Sequence, residues 1–249
     1  MTENILQVRN LSKRYGALWA TRDLSFTVRR GHIHAVIGPN GAGKTTLVNQ
    51  LTGDIIADSG SILFKKQDIT RMPDYRRARL GIARSFQITH IFENLSVAEN
   101  MALSICAHNG HNFRFWRNSL KSQPVRRRLP QALAAVDLEH RADMPARVLS
   151  HGEKRQLEVG MALTGEPELL ILDEPMAGMG PGGTVELSKL INKLKGGVTI
   201  LLVEHDMDVV FSLADMITVL VYGKNLLTGE PERVRDDAEV RAAYLGDGK

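Results

Sequence analysis

The chain has 249 residues, which is enough for one large domain or for one domain with an insertion. Hydrophobic residues make up 43% and charged residues 24%, the usage of ordinary globular proteins, so wholesale disorder is excluded. The formal net charge of +4, from 32 basic and 28 acidic residues, is too small to make nucleic acid the expected partner.

The sequence predicts a soluble, intracellular protein. Its single cysteine, Cys106, excludes an intramolecular disulfide and favours a reducing compartment. The first ten residues carry polar and charged side chains where a secretory signal would need an apolar run. No stretch approaches the roughly 18 apolar residues of a membrane-spanning helix.

Basic residues cluster at two places in the sequence, at 76–79 and at 126–128. Runs of like charge most often form solvated helix faces, which we predict for both clusters. Contact with a polyanion or with lipid head groups is the alternative. The sequence lacks the interleaved aromatic residues that would stack on bases.

The first part of the chain predicts strands and then a helix. Residues 5–11 and 24–28 alternate between apolar and polar side chains, as half-buried strands do. Residues 34–37 form a short apolar run that ends at a glycine-rich loop, and residues 45–51 read as a helix. This order predicts a strand, a loop and a helix in succession.

The middle of the chain predicts helices, with periodic apolar residues in 97–107 and 129–136 and a polar connection over 110–123. Residues 169–172 and 198–203 are continuous apolar runs, typical of strands buried on both faces of a parallel sheet. The helical spacing of 185–194 supplies the crossover between them, and 216–222 predicts another strand. We therefore expect an α/β core whose central helices form a separate lobe.

Residues 38–45 fit the phosphate-binding pattern G-x-x-x-x-G-K-[ST] without a gap. Glycines let backbone N–H groups converge on phosphate oxygens, and the helix N-terminus adds partial positive charge. Lys44 should reach the β- and γ-phosphates and the Thr45 hydroxyl should bind Mg²⁺. The predicted nucleotide-binding residues here are Gly38, Pro39, Asn40, Gly41, Ala42, Gly43, Lys44, Thr45 and Thr46.

An acidic pair, Asp173 and Glu174, follows the apolar run 169–172. A buried strand that ends in two acids delivers carboxylates to the carboxyl edge of a sheet, where ligands bind in such folds. Asp173 would hold Mg²⁺, and Glu174 would polarise the water that attacks the γ-phosphate. Such a pair alone is more often a solvated strand end, but the upstream phosphate-binding loop makes the signal strong.

A third segment, Leu149-Ser150-His151-Gly152-Glu153, together with Gln87 and His205, resembles the motif set of ATP-binding-cassette (ABC) transporter ATPases, over nearly the whole chain. The resemblance implies that ATP lies between two cassettes arranged head to tail. Ser150 and Gly152 of one copy would then contact the γ-phosphate held by the other. His151 and Glu153 depart from the usual L-S-G-G-Q, and His151 would add bulk beside the phosphate.

The same resemblance assigns three further residues. Gln87 matches a glutamine that binds Mg²⁺ or orients water, in a loop that touches the membrane partner. His205 matches a switch histidine that contacts the γ-phosphate and holds Glu174. Tyr15 matches the aromatic residue that stacks on adenine, with an ordinary strand-end tyrosine as the alternative.

The resemblance also implies the architecture of one ABC ATPase domain over residues 1–249. This is a P-loop NTPase fold in the α/β class, with a RecA-like core, an antiparallel β-subdomain and an inserted α-helical subdomain. We expect residues 1–87 and 164–249 to form the ATP-binding core with its β-subdomain, and residues 88–163 to form the helical subdomain.

The loop after Glu174 narrows the resemblance to a subfamily. Gly180 stands where most cassettes have an aspartate, so the cross-dimer carboxylate contact is expected to be missing. Three segments resemble those of ATPases from importers of branched-chain amino acids, related hydrophobic amino acids and amides, or urea. They are the loop 177–181, the insertion at 107–128 and the ending at 240–246.

This resemblance implies ATP and Mg²⁺ as cofactors. It implies integral-membrane permease subunits and a second ATPase subunit, either a paralogue or a second copy, as partners. A solute-binding protein would act indirectly, and no nucleic acid would be bound. The expected location is peripheral, on the cytoplasmic face of the membrane.

Two alternatives stay open. One is a related cassette that drives export of lipopolysaccharide or lipid. The other is a soluble cassette for DNA repair, translation or iron–sulfur assembly. Translation cassettes usually pair two copies on one chain, repair cassettes carry long coiled-coil insertions, and Cys106 alone offers no cluster site.

Overall fold

The computed structural model describes residues 3–85, 91–108 and 123–245. This part of the chain forms ten strands and nine α-helices. The strands are β1 (Asn4–Tyr15), β2 (Leu18–Arg29), β3 (Ile33–Ile37), β4 (Ser59–Phe64), β5 (Gln67–Asp68), β6 (Ile82–Ser85), β7 (Leu169–Asp173), β8 (Thr199–Val203), β9 (Met216–Val221) and β10 (Lys224–Gly229). The helices are α1 (Lys44–Thr52), α2 (Asp74–Arg79), α3 (Val97–His108), α4 (Gln123–Ala135), α5 (His151–Leu163), α6 (Pro181–Leu194), α7 (Met207–Leu213), α8 (Pro231–Asp236) and α9 (Ala238–Leu245).

The chain divides into two compact units. The core unit comprises Met1–Ile82, Glu168–Glu174 and Leu194–Lys249, and the helical unit comprises Ala83–Pro167 and Pro175–Lys193. The α/β class with antiparallel and parallel sheets is confirmed. The predicted subdomain boundaries, at 87/88 and 163/164, stay a prediction.

A four-stranded antiparallel sheet in the order β2-β1-β4-β5 belongs to the core unit. Leu6 lies opposite Val28 on β2 and opposite Phe64 on β4, and all three side chains are buried. The predicted strands are confirmed, and residues 24–28 alternate between buried and exposed side chains as predicted. The alternation predicted for 5–11 was wrong in detail, because Ile5 and Leu6 are both buried and the register of β1 against β2 shifts between Val8 and Leu11.

A six-stranded sheet in the order β10-β9-β3-β8-β7-β6 carries the parallel strands. Neighbours β9, β3, β8 and β7 run parallel, while β10 joins β9 antiparallel. Every residue of β3, β7 and β8 is buried, which confirms the continuous apolar runs as strands covered on both faces. The carboxyl ends of these three adjacent strands therefore meet at one edge of the sheet.

The helical unit is built around α3, α4 and α5, which pack on one another. Gly160 of α5 permits this packing, because a Cβ there would lie 2.6 Å from Met101 Cε and 2.9 Å from Val136 Cγ2. The predicted connection 110–123 lies outside the described residues except for Gln123, which opens α4.

No helix in the described ranges is both long enough and apolar enough to cross a membrane.

The basic cluster 76–79 is only partly the solvated helix face that its charge predicts. Arg76 and Arg79 of α2 are exposed, and their guanidinium groups lie near the Tyr75 ring. Arg77 is only 1% exposed, so the prediction was wrong for that residue. The Arg77 guanidinium donates to the carbonyl oxygens of Gln50 (2.6 Å) and Leu51 (2.9 Å) at the end of α1. A cation there satisfies carbonyls that the helix leaves unpaired and complements its dipole.

The second basic cluster divides similarly. Arg126 and Arg127 of α4 are exposed, as predicted. Arg128 is half-buried and donates to the Thr164 carbonyl oxygen (2.6 Å) and to Glu166 (2.8 Å). Both clusters thus contribute one arginine to structure and the rest to the surface.

His34 on β3 is a titratable side chain buried in the core unit. Its Nε2 lies 2.8 Å from Thr218 Oγ1, and its ring centroid lies 5.5 Å from that of Phe26. Burial, with a smaller effect from His32, lowers the pKa of His34 from 6.5 to about 4. The unfolded chain therefore binds a proton between these pH values that the folded chain does not.

We expect His34 to make the free energy of unfolding fall by about 2 kcal/mol between pH 7 and pH 5. The loss begins as pH drops below 6.5 and levels off below about 4. Urea unfolding of the wild type and of His34→Gln at both pH values measures the contribution. The same pH dependence in both proteins would contradict it.

Candidate nucleotide site

The glycine-rich loop joins β3 to α1 and is held against neighbouring backbone. Gly43 takes a left-handed conformation at φ 102°, and a Cβ on it would lie 2.1 Å from the Ala20 carbonyl oxygen. Gly41 is also left-handed, at φ 78°. Position 43 therefore requires glycine, because its backbone is left-handed and a side chain would collide with Ala20. Without that side chain, the backbone N–H groups of the loop are unobstructed.

Lys44 opens α1 and is buried, with 7% of its surface exposed. Its ammonium donates to the carbonyl oxygens of Gly38 (2.6 Å) and Pro39 (3.1 Å). Burial lowers the pKa of Lys44, while the nearby carboxylates of Glu174 and Asp173 act in the opposite direction. The structure thus places the lysine and the acidic pair close enough to interact.

The acidic pair ends β7. Asp173 is buried, and Glu174 is half-buried with a left-handed backbone at φ 45°. The Glu174 N–H donates to the Val203 carbonyl oxygen (2.8 Å), which ties the end of β7 to the end of β8.

His205 follows β8, the strand between β3 and β7. Its side chain is 60% exposed, and its backbone N–H donates to Oε2 of the buried Glu204 (3.0 Å). Asp206 then caps α7 by accepting from the N–H groups of Asp208 and Val209. Sequence reasoning missed Glu204 as part of this loop, although an acid between an apolar strand and a histidine was the available signal.

The oxygen donors beside the loop fit a magnesium ion. Thr45 lies in the first turn of α1 with an exposed side chain, and Asp173 ends the neighbouring β7. Among the described residues, no three His, Cys, Asp or Glu side chains gather as a metal cage. Mg²⁺ usually needs only one or two protein oxygens, because waters and phosphates complete its shell.

Tyr15 is the last residue of β1 and is 48% exposed. Lys13 Nζ lies 5.7 Å from its ring centroid. Its ring is therefore accessible to a flat ligand, as the adenine assignment requires.

Ser150 lies in the helical unit and caps α5. The Ser150 Oγ accepts from the Glu153 N–H (3.2 Å), and the Ser150 N–H donates to Glu153 Oε2 (2.8 Å). Arg141 Nε donates to the other oxygen of Glu153 (2.7 Å). Ser150 Oγ therefore lies at the N-terminal end of α5, where backbone N–H groups and the helix dipole favour an anion.

Glu153, one of the two departures from the usual signature, therefore has a structural role. Burial alone would raise the pKa of Glu153, but hydrogen bonds from Ser150 and Arg141, with the charge of Arg141, hold that pKa below its ordinary value.

Gly152 has a packing role that the sequence did not reveal. A Cβ on it would lie 3.3 Å from the Cα of Gly183 in α6, so a side chain would press the two helices apart. Gln87, the remaining predicted residue, lies outside the described residues.

Residues 21–177 match the family described as ABC transporter. The chain belongs to this family.

Curated relatives of this ABC ATPase match along nearly all of its length. The high-affinity branched-chain amino acid transport ATP-binding protein BraF of Pseudomonas aeruginosa is 37% identical, over 99% of this chain and 100% of that protein. LivG of Escherichia coli K12, which carries the same description, is 38% identical with the same coverage. The lipopolysaccharide export system ATP-binding protein LptB of Acidithiobacillus ferridurans is 33% identical, over 98% and 97% of the two chains.

Solved structures agree on the fold. The ADP conformation of MJ1267, an ATP-binding cassette of an ABC transporter, superposes with a TM-score of 0.87 at 30% identity, over 99% of this chain and 100% of that one. This ABC ATPase therefore binds and hydrolyses ATP.

Glu153→Ala should lower the free energy of unfolding by about 1 kcal/mol, because it removes the acceptor of the Ser150 N–H and the partner of Arg141. Urea unfolding measures the loss of stability. The steady-state ATPase rate should fall as well. Glu153→Gln is the matched control, since its amide oxygen can still accept from Ser150. Equal losses in the two variants would contradict the cap as the cause.

Proposed function

We propose that this chain is the ATPase subunit of an importer for branched-chain or related hydrophobic amino acids and small amides. The observation that carries the ATPase part of this proposal is the meeting of the phosphate loop, the acidic pair and His205 at the carboxyl ends of adjacent strands β3, β8 and β7. Full-length identity of 37–38% to BraF and LivG supports the solute class.

Within one core unit, each group has one task. The loop N–H groups and Lys44 hold the β- and γ-phosphates, and the N-terminus of α1 adds partial positive charge. Glu174 polarises the attacking water and takes its proton, while His205 contacts the γ-phosphate and orients Glu174. Tyr15 stacks on adenine. Positioning and electrostatics supply the rate, because the transition state spreads charge over the phosphoryl oxygens.

Thr45, Asp173 and Gln87 are the residues that would hold Mg²⁺. The ion neutralises charge on the phosphates when bound. Asp173 is buried at the end of β7, where its carboxylate would hold the ion directly or through a water.

Ser150 acts on the nucleotide of a second subunit, either a copy of this chain or a paralogue, in a head-to-tail dimer. The capping box supports this role, since it fixes the serine at the N-terminal end of α5, where an anion is favoured. Gly152 adds a backbone N–H in the first turn of the same helix.

The helical unit would meet the permease subunits through an exposed apolar patch of Phe92, Met144 and Val148, which are 56%, 39% and 60% exposed. The segments that carry them are joined by backbone hydrogen bonds, from Arg147 to Glu93 (2.9 Å) and from Ala146 to Leu95 (2.8 Å). Exposed apolar residues held on one scaffold are typical of a protein contact. A short cytoplasmic helix of the permease fits such a patch, and this contact would place the chain on the cytoplasmic face of the membrane. A solute-binding protein would act through the permeases.

Export of lipopolysaccharide or lipid is the second candidate, and the 33% identity to LptB favours it over the non-transport cassettes. Both transport functions use the same nucleotide chemistry, so the solute must be tested directly.

Glu174→Gln should keep ATP binding and lower the hydrolysis rate about a hundredfold or more, because the amide cannot take the proton of the attacking water. It should also trap an ATP-bound dimer, seen by size-exclusion chromatography with ATP. Glu174→Gln with the wild-type rate would contradict the assignment.

The same variant tests the solute in vesicles that contain the chain with its permeases, supplied with the solute-binding protein. ATP-driven uptake of leucine should occur with the wild-type chain and be lost with Glu174→Gln. Failure of the wild type to take up leucine, with hydrolysis intact, would contradict the solute class and leave the ATPase assignment standing.

Differently tagged mixed dimers test the head-to-tail arrangement. A dimer with Lys44→Ala in one protomer and Ser150→Ala in the other should keep one intact site, because both changes fall in the same site. The matched control carries both changes in one protomer and should have two damaged sites and a lower ATPase rate. The opposite order of the two rates would place Ser150 at its own nucleotide and refute the arrangement.

A further inference from the structure

Gln50 is a fully buried polar residue in the second turn of α1, the helix that follows the phosphate loop. It shares the buried face of this helix with Leu47, Val48 and Leu51. Those three side chains belong to the apolar core of the core unit. Gln50 is therefore an amide among apolar neighbours on its helix.

The side chain of Gln50 is bonded to β2. Thr21 Oγ1 donates to Gln50 Oε1 (3.1 Å), and Thr21 is also fully buried. Ala20, the residue before Thr21, places its carbonyl oxygen against Gly43, the last glycine of the phosphate loop. Two consecutive residues of β2 thus contact the loop and the helix that follows it.

The main chain of Gln50 is held as well. The buried Arg77 of α2 donates to the carbonyl oxygens of Gln50 (2.6 Å) and Leu51 (2.9 Å). Helix α1 is therefore fixed at one residue by two buried polar side chains, one from β2 and one from α2.

One atom of the Gln50 amide is buried without a bond. In the part of the chain that the structure describes, nothing pairs with its Nε2. A buried amide with an unmade hydrogen bond destabilises the folded state. A methionine would fill a similar volume without that loss, so stability of the core alone does not account for a glutamine here.

The direction of the Thr21 bond accounts for it. Apolar contacts are non-directional, so they tolerate small shifts of a helix along and around its axis. A hydrogen bond is made in a narrow range of distance and angle, and it fixes one position. The position of α1 matters because the loop and the first turn carry the N–H groups that bind phosphates.

We propose that Gln50 is a positioning residue for nucleotide binding: its bond with Thr21 fixes α1 against β2, so that the phosphate loop keeps the geometry that binds phosphates. A site held in one geometry loses less entropy when its ligand binds. The proposal rests on residues 38–46 as the nucleotide site.

The test is the double variant Thr21→Val with Gln50→Met, which removes both partners of the bond. We expect its Kd for MgADP, from isothermal titration calorimetry, to rise about threefold to tenfold, which corresponds to one hydrogen bond. The KM for ATP should rise while kcat stays the same, because the reacting groups are unchanged. The melting temperature should stay the same or rise, because no partner of the bond is left unpaired.

The two single variants test whether the bond itself is the cause. Each should raise the Kd as much as the double variant does, because each breaks the same bond. Each should also melt below the double variant, since one buried polar partner is left unpaired. Increases in Kd that multiply in the double variant would overturn the proposal.

Thr27→Val is the matched control, since Thr27 is exposed on the same strand and loses the same atom. It should have the wild-type Kd. A wild-type Kd in the double variant would overturn the proposal. A lower kcat with an unchanged KM and a lower melting temperature would also overturn it, because the pair would then act on the fold rather than on the site.

Lys44→Ala in the same titration separates this proposal from the site assignment. It should lose MgADP binding. Unchanged binding in Lys44→Ala would refute the nucleotide site and the role of Gln50 together. Lost binding there, with a wild-type Kd in the double variant, would refute the role of Gln50 alone.

Discussion

The phosphate loop depends on close contact between its backbone and the backbones of other segments. A Cβ on Gly38 would lie 2.3 Å from the Leu220 carbonyl oxygen, and one on Gly43 would lie 2.1 Å from that of Ala20. The Gly223 N–H donates to the Ala42 carbonyl oxygen (3.0 Å). A cradle of backbone N–H groups has no side chains of its own to hold its shape, so β2 and the β9–β10 turn must supply the support.

Sheet topology then assembles the rest of the core-unit site. Strand β8 lies between β3 and β7 in the sheet. The residues that follow these strands, Gly38 after β3, His205 after β8 and Glu174 after β7, therefore lie at neighbouring strand ends. These residues are far apart in sequence, yet parallel strands in register bring their carboxyl ends to one edge. The hydrogen bond from the Glu174 N–H to Val203 fixes this alignment at the site itself.

The sequence predicts those elements of the fold whose pattern of apolar residues matches the burial of the element in the structure. Five-residue apolar strands such as β7 and β8 have no other stable place than the middle of a sheet. Arg77 was beyond prediction, because it lies in a run of like charges and only the distant carbonyls of α1 explain its burial.

Glu174 shows how the backbone separates the tasks of two adjacent acids. Asp173 keeps its strand conformation and is buried, whereas Glu174 turns to φ 45°. A left-handed glutamate costs about 1–3 kcal/mol, and the residue before a proline such as Pro175 normally stays extended. The hydrogen bond to Val203 offsets part of this cost. In an undistorted strand, consecutive side chains would point to opposite faces of the sheet. The turn at Glu174 releases the second carboxylate from that alternation, so both acids can lie near Lys44.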